Sequence, residues 1–123
     1  MSPIDLLEIF RDSEDVFEVP AGAVIIEEGQ EGDHMYVVME GEVRISLRGR
    51  HLATAQPGEI VGEMALINAE LRSATVTAMT DCVLASIDQA SFDSLLRHVP
   101  DFTLHVMNVL AERLKVAFEM IEE

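Results

Sequence analysis

The chain has 123 residues, 23 of them acidic against 8 basic, and a formal net charge of -15. That length encloses one core, and 49% hydrophobic residues exclude a disordered segment. The few cations are scattered, which excludes contact with DNA or RNA, and a single cysteine, Cys82, excludes a disulfide framework or multi-cysteine metal site.

No basic leader followed by an apolar run opens the chain, and no segment has the length of a membrane span. A cytoplasmic chain without membrane contact is therefore expected, with Cys82 a small buried residue in a reducing compartment.

In chain order, Ser2-Pro3-Ile4-Asp5 reads as a helix start, with Ser2 as N-cap, Pro3 at the first helical position and Asp5 in the first turn. Leu6, Leu7 and Phe10 give that short helix its apolar face. From Val16 to Ile60 the pattern changes to β. All seven glycines lie between Gly22 and Gly62, separating runs rich in β-formers at 23–26, 35–39, 42–47 and 51–55. Such spacing indicates an antiparallel sandwich or barrel. Glu40-Gly41 and Arg48-Gly49 are expected hairpin turns. Val43, Ile45 and Leu47 alternate with Arg44, Ser46 and Arg48, as in a strand with one wet face. Residues 73–79 and 82–87, joined at Thr80-Asp81, read as a closing hairpin.

Helix returns with Asp88 as N-cap and continues through Phe92, Leu95 and Leu96 towards His98. Pro100 ends that helix and opens another. A long helix is expected from Asp101 to Glu122 with two apolar stripes. One carries Phe102, Val106, Val109, Val116 and Met120; the other carries Met107, Leu110, Leu114, Ala117 and Ile121. A helix apolar on two sides calls for two partners, so homodimerisation through this helix is expected, with simple core packing as the alternative.

Catalytic and metal signals are weak. The four histidines, at 34, 51, 98 and 105, are far apart, and no nucleophile elbow, Walker loop or paired-histidine spacing occurs. A non-enzyme without a metal or cofactor is expected. Residues 57–76 are different. Arg72 is the only Lys or Arg between Arg50 and Arg97. Gly58 and Gly62 allow tight turns, Met64 to Ile67 can form one helical turn whose N–H groups suit an anion, and Arg72 supplies a planar fork for phosphate oxygens. Ser73 can donate a hydroxyl and Ala74 leaves room. Glu63 fits beside an anion as the acceptor for a ligand hydroxyl such as a ribose 2′-OH. Taken singly, Arg72 and Glu63 also fit an ordinary ion pair, and the glycines fit simple corners.

Gly62-Glu63-Met64-Ala65-Leu66 followed by Arg72-Ser73-Ala74-Thr75-Val76 resembles the phosphate-binding cassette of cyclic nucleotide-binding domains. The resemblance extends to the Gly29–Gly32 turn, to Tyr36-Val37-Val38 leading into Gly41-Glu42-Val43, and to Leu110-Ala111-Glu112-Arg113-Leu114. It implies one domain over 1–123: an eight-stranded antiparallel β-roll with a short N-terminal helix, a cassette helix within 58–76, and two C-terminal helices over 88–122. It further implies that Arg72 binds the exocyclic phosphate oxygens and Glu63 the ribose 2′-OH. Val61, Gly62, Met64 and Ala65 would complete the cradle, with Ser73 and Ala74 beside it. Ala117-Phe118 stands where the family's catabolite activator has a Thr-Ser pair that touches adenine. Phe118 would then cap the base by stacking or remain a core or dimer contact. The family pairs Thr after the cassette arginine with cGMP and Ala with cAMP; Ser73 lies between, and the expected ligand is cAMP, with cGMP the alternative. The implied mechanism repositions the C-terminal helices when nucleotide binds. Two other readings stay open: a non-binding dimerisation or interaction module that keeps the fold, and the sensory half of a transcription regulator or channel. In that last reading the output domain is absent from these 123 residues.

Overall fold

The computed structural model describes residues 5–68 and 71–122. The chain divides into a β unit over residues 5–89 and a helical unit that begins at Ala90. The β unit opens with α1 (Leu6–Phe10) and continues through β1 (Val16–Val19), β2 (Val24–Ile26), β3 (His34–Glu40), β4 (Val43–Leu47), β5 (Arg50–Ala55) and β6 (Ile60–Val61). After α2 (Met64–Asn68) come β7 (Thr75–Ala78) and β8 (Cys82–Asp88). The expected cap and first helical position at Ser2-Pro3 lie outside the described residues. Asp5, expected inside the first turn, is instead the cap: its Oδ1 accepts from the N–H groups of Leu7 and Glu8 at 3.1 and 3.3 Å. An extended Asp5 backbone, φ -99 and ψ 94, aims that short carboxylate at the two free donors.

The eight strands form two antiparallel four-stranded sheets, ordered β1-β8-β3-β6 and β2-β7-β4-β5. This is the β-roll expected from the resemblance. Val38, Val61, Cys82 and Leu84 from the first sheet meet Ile26, Val43, Ile45, Ala55, Val76 and Ala78 from the second in one core. β8 lies between β1 and β3, and its Leu84, Ala85 and Ile87 have no exposed surface. A strand buried on both faces explains why its sequence runs apolar without alternation.

Two expected hairpins are sheet-crossing corners. β3 and β4 belong to different sheets, and so do β7 and β8. Each already has two neighbours in its own sheet, which leaves Glu40-Gly41 and Thr80-Asp81 to carry the chain across the core. The corners interlock: Glu42 N–H donates to Thr80 Oγ1 at 3.1 Å, and Met79 N–H donates to Glu42 O at 2.9 Å. Gly41, at φ 85, lies so close that a Cβ there would be 2.5 Å from Asp81 O. Arg48-Gly49, by contrast, is a true two-residue hairpin turn, with φ 52 and 80, between Leu47 and its partner Arg50.

The alternation expected along β4 holds only at its start. Val43 and Ile45 are buried, but so is Ser46, while Leu47 is exposed. The phase flips where the register slips, because Ile45 pairs with Ala53 and Ser46 with His51, leaving Leu52 extra.

The helical unit carries α3 (Gln89–His98) from its second residue onward and all of α4 (Pro100–Glu122). Pro100 opens α4 as expected, since its missing N–H costs nothing at a first turn. Phe92 and Phe102 are buried and meet edge to face, centroids 5.9 Å apart. Thr103 Oγ1 donates to Leu96 O at 3.2 Å, tying the two helices at their junction. On α4 Phe102 and Val106 are buried and Val109, Val116 and Met120 half-buried. Of the second stripe, Met107, Leu114, Ala117 and Ile121 are exposed and Leu110 half-buried.

Candidate functional site

The site grows from the segment between β6 and β7. Ile60 and Val61 are buried, Val61 within the core between the sheets. Gly62 then turns the chain at φ 80, and Glu63 follows with no exposed surface. The Glu63 carbonyl accepts from Leu66 N–H at 3.1 Å and Ile67 N–H at 3.2 Å, which closes the α2 turn. Those two donors are therefore spent inside the turn. Only the N–H groups earlier in it, at Met64 and Ala65, remain for an anion.

Arg72 is held at both ends. Its backbone N–H donates to Gln30 O at 2.8 Å and its carbonyl accepts from Gly29 N–H at 2.8 Å, locking it to the turn before β3. Its guanidinium donates from Nη1 to Gly62 O at 3.0 Å and from Nη2 to His34 O at 2.7 Å. Both acceptors are main-chain carbonyls, so these two bonds orient the group without neutralising it. A guanidinium has five N–H donors; with two engaged, the others are available to phosphate oxygens. The ordinary ion pair with Glu63, left open by the sequence, is not how these two donors are used.

Two glycines make room for this arrangement. A Cβ at Gly32 would lie 2.0 Å from Arg72 Nε and 2.2 Å from its Cζ. A Cβ at Gly62 would lie 2.8 Å from both Arg72 Nη1 and Ile26 Cδ1. Gly62 thus positions Arg72 through its carbonyl and its missing side chain.

Beside Arg72 opens a cavity of about 1070 Å³ lined by Glu31, Gly32, Asp33, Ala65, Leu66, Leu71, Ser73 and Gln89. Ala65 and Ser73 are expected site residues on its wall. Met64 and Ala74 are half-buried, the latter packed against the core. Phe118 belongs to the helical unit and is 57% exposed. Glu31, Gly32, Asp33, Leu71 and Gln89 were missed by sequence reasoning; only the glycine turn at 29–32 hinted at the first three. Gln89 Nε2 donates to Leu66 O at 3.2 Å, closing the C-terminal end of the α2 turn. Asp33 Oδ1 lies 2.7 Å from His34 Nδ1. That hydrogen bond first, and the charges of His34 and Arg72 after it, hold the Asp33 carboxyl below its ordinary value. Among the described residues no group of His, Cys, Asp or Glu is arranged to hold a metal ion, and no helix is long and apolar enough to cross a membrane.

A two-sheet β-roll with an arginine-centred turn beside an open cavity defines a class of regulatory ligand-binding domain. The chain belongs to the cyclic nucleotide-binding domain family, whose profile matches residues 16–99. It is 42% identical over 82% of its length to the cyclic nucleotide-gated potassium channel mll3241 of Mesorhizobium japonicum, and spans 28% of that protein. Among solved structures it is similar to cAMP-bound PfPKA-R, at a TM-score of 0.78 and 27% identity, covering 93% of this chain and 43% of that one. The catabolite activator protein of Thermus thermophilus gives a TM-score of 0.76 at 31% identity, covering 87% of this chain and 53% of that one.

Proposed function

We propose that the domain is a non-catalytic receptor for a cyclic nucleotide, with cAMP preferred and cGMP the alternative. The observation that carries this reading is the Arg72 guanidinium, oriented by two main-chain carbonyls next to a cavity that its chain neighbours Leu71 and Ser73 line. A cyclic phosphodiester carries one negative charge, which the guanidinium matches with its remaining donors. The Met64 and Ala65 N–H groups and the exposed Ser73 hydroxyl supply further donors. Glu63 takes the ribose 2′-OH. Because Glu63 has no exposed surface here, that contact requires the α2 turn to shift. Gln89, bonded to that turn, is the first residue of α3. Ligand occupancy therefore favours a different setting of the C-terminal helices, and Phe118 caps the base. The similarity to a cAMP-bound protein and to a nucleotide-gated channel supports the same reading.

Homodimerisation through α4 belongs to this proposal. Met107, Leu114 and Ile121 are 60, 56 and 79% exposed, an apolar surface that a second copy would cover. The same stripe favours the second reading, an interaction module that binds no nucleotide. Calorimetric titration of the nucleotide-stripped chain with cAMP and then cGMP separates the two. Micromolar or tighter binding supports the receptor; absence of heat with both nucleotides, alongside a stable dimer, supports the module.

A further inference from the structure

Three of the eight basic residues, Arg44, Arg48 and Arg50, fall within seven consecutive positions of a chain whose net charge is -15. The scatter of cations is therefore uneven, and the fold gathers these three at the tip of the β4–β5 hairpin. Among the described residues β5 pairs with β4 alone, so it is an edge strand of its sheet, exposed at Arg50 and His51 and turning inward from Leu52 to Ala55. Leu47, Arg48, Arg50 and His51 are all exposed there.

Two details set this tip apart from an ordinary solvated turn. Arg48 occupies the left-handed region at φ 52, where Asn, Asp or Gly would carry less strain. A cation kept at a strained turn position departs from local preference, and such departures gather at functional sites. Arg44 is oriented without being neutralised: Nε donates to His51 Nδ1 at 3.3 Å and Nη2 to Gly49 O at 3.0 Å. Glu28 reaches the tip, where its carboxylate accepts from Arg48 N–H at 3.0 Å and from the Thr75 hydroxyl at 3.1 Å. Arg50 already holds a polar interaction, so the case rests on Arg44, Arg48 and the open edge.

We propose that the β5 edge docks an extended acidic peptide segment of a partner protein. The segment adds to the sheet as a further strand, main-chain bonds giving affinity and its carboxylates meeting the arginines. Charge complementarity selects this occupant. The rest of the acidic chain repels such a segment, while screening within about 8 Å at physiological salt leaves the local cluster attractive. A strand also engages one edge and keeps clear of the acidic surface, which an anionic membrane plane would not.

The test titrates the isotope-labelled chain with a blocked peptide alternating glutamate and threonine, following backbone amide shifts. Shifts confined to residues 43–55 are expected, with affinity reduced at least ~10-fold in the combined variant Arg44→Gln, Arg48→Asn, Arg50→Gln. Asn suits the left-handed turn, and an unchanged thermal midpoint shows that the variant is folded. Equal binding by the variant, shifts spread over the surface, or no response up to about 1 mM peptide would each overturn the proposal. Binding to phosphatidylserine vesicles without a peptide response would assign the edge to a membrane instead.

Discussion

Arg72 lies against Gly32 so closely that a single methyl group at position 32 would sit 2.0 Å from the arginine Nε. Gly32 is also the one glycine whose φ is outside the left-handed region, so space, and not backbone freedom, is what it provides. Gly32→Ala should therefore fold yet push the guanidinium from its two carbonyls. A nucleotide affinity reduced ~10-fold or more by calorimetry is expected, with little change in thermal midpoint. Unchanged affinity would show that the position of the guanidinium is not set by Gly32.

Gly41 should behave oppositely. Its φ of 85 strains any side chain, and a Cβ would lie 2.5 Å from Asp81 O, a main-chain atom fixed in the facing corner. Gly41→Ala is expected to cost about 2 kcal/mol of stability, read as a lower denaturation midpoint. A neutral substitution would mean that the two corners are not rigidly interlocked.

Asp33 supplies a pH test. Its carboxyl titrates below the ordinary 3.8, chiefly through the hydrogen bond with His34. A depressed folded value means that the contribution is present above 3.8 and is lost as pH falls through the lower folded value. A side-chain carboxyl NMR titration should give a midpoint below 3.8, moving upward in His34→Gln. The same midpoint in both proteins would remove His34 as the cause.

If α4 pairs with a second copy, Leu114→Glu and Ile121→Glu should convert a dimer to a monomer in sedimentation. Both side chains are more than half exposed, so the thermal midpoint of the monomer should change little. A sedimentation coefficient unaffected by both substitutions would contradict pairing through this stripe.

Much of this molecule is legible along the chain, because strand-forming runs and glycine turns are local features. The runs expected at 42–47 and 51–55 fall within one residue of β4 (Val43–Leu47) and β5 (Arg50–Ala55). Partnership between strands is not local. β7 and β8 are consecutive and separated by a turn-like pair, yet each is claimed by two neighbours in opposite sheets. The proposed cassette could be located for the same reason as the strands: Gly62 to Leu66 and Arg72 to Ala74 are two contiguous runs. Its socket was not, because Gly29, Gln30, Gly32 and His34 reach Arg72 from about forty positions away. Gln89 was equally hidden, since its part in the cavity comes from a bond to Leu66 across the fold.

The central claim is that Arg72 is the phosphate ligand, and calorimetry of the nucleotide-stripped chain and its Arg72→Ala variant with cAMP tests it most directly. Loss of one charge-assisted contact is worth ~1.5–3 kcal/mol, so binding should weaken roughly 10- to 150-fold. Equal dissociation constants for the two proteins would contradict the account.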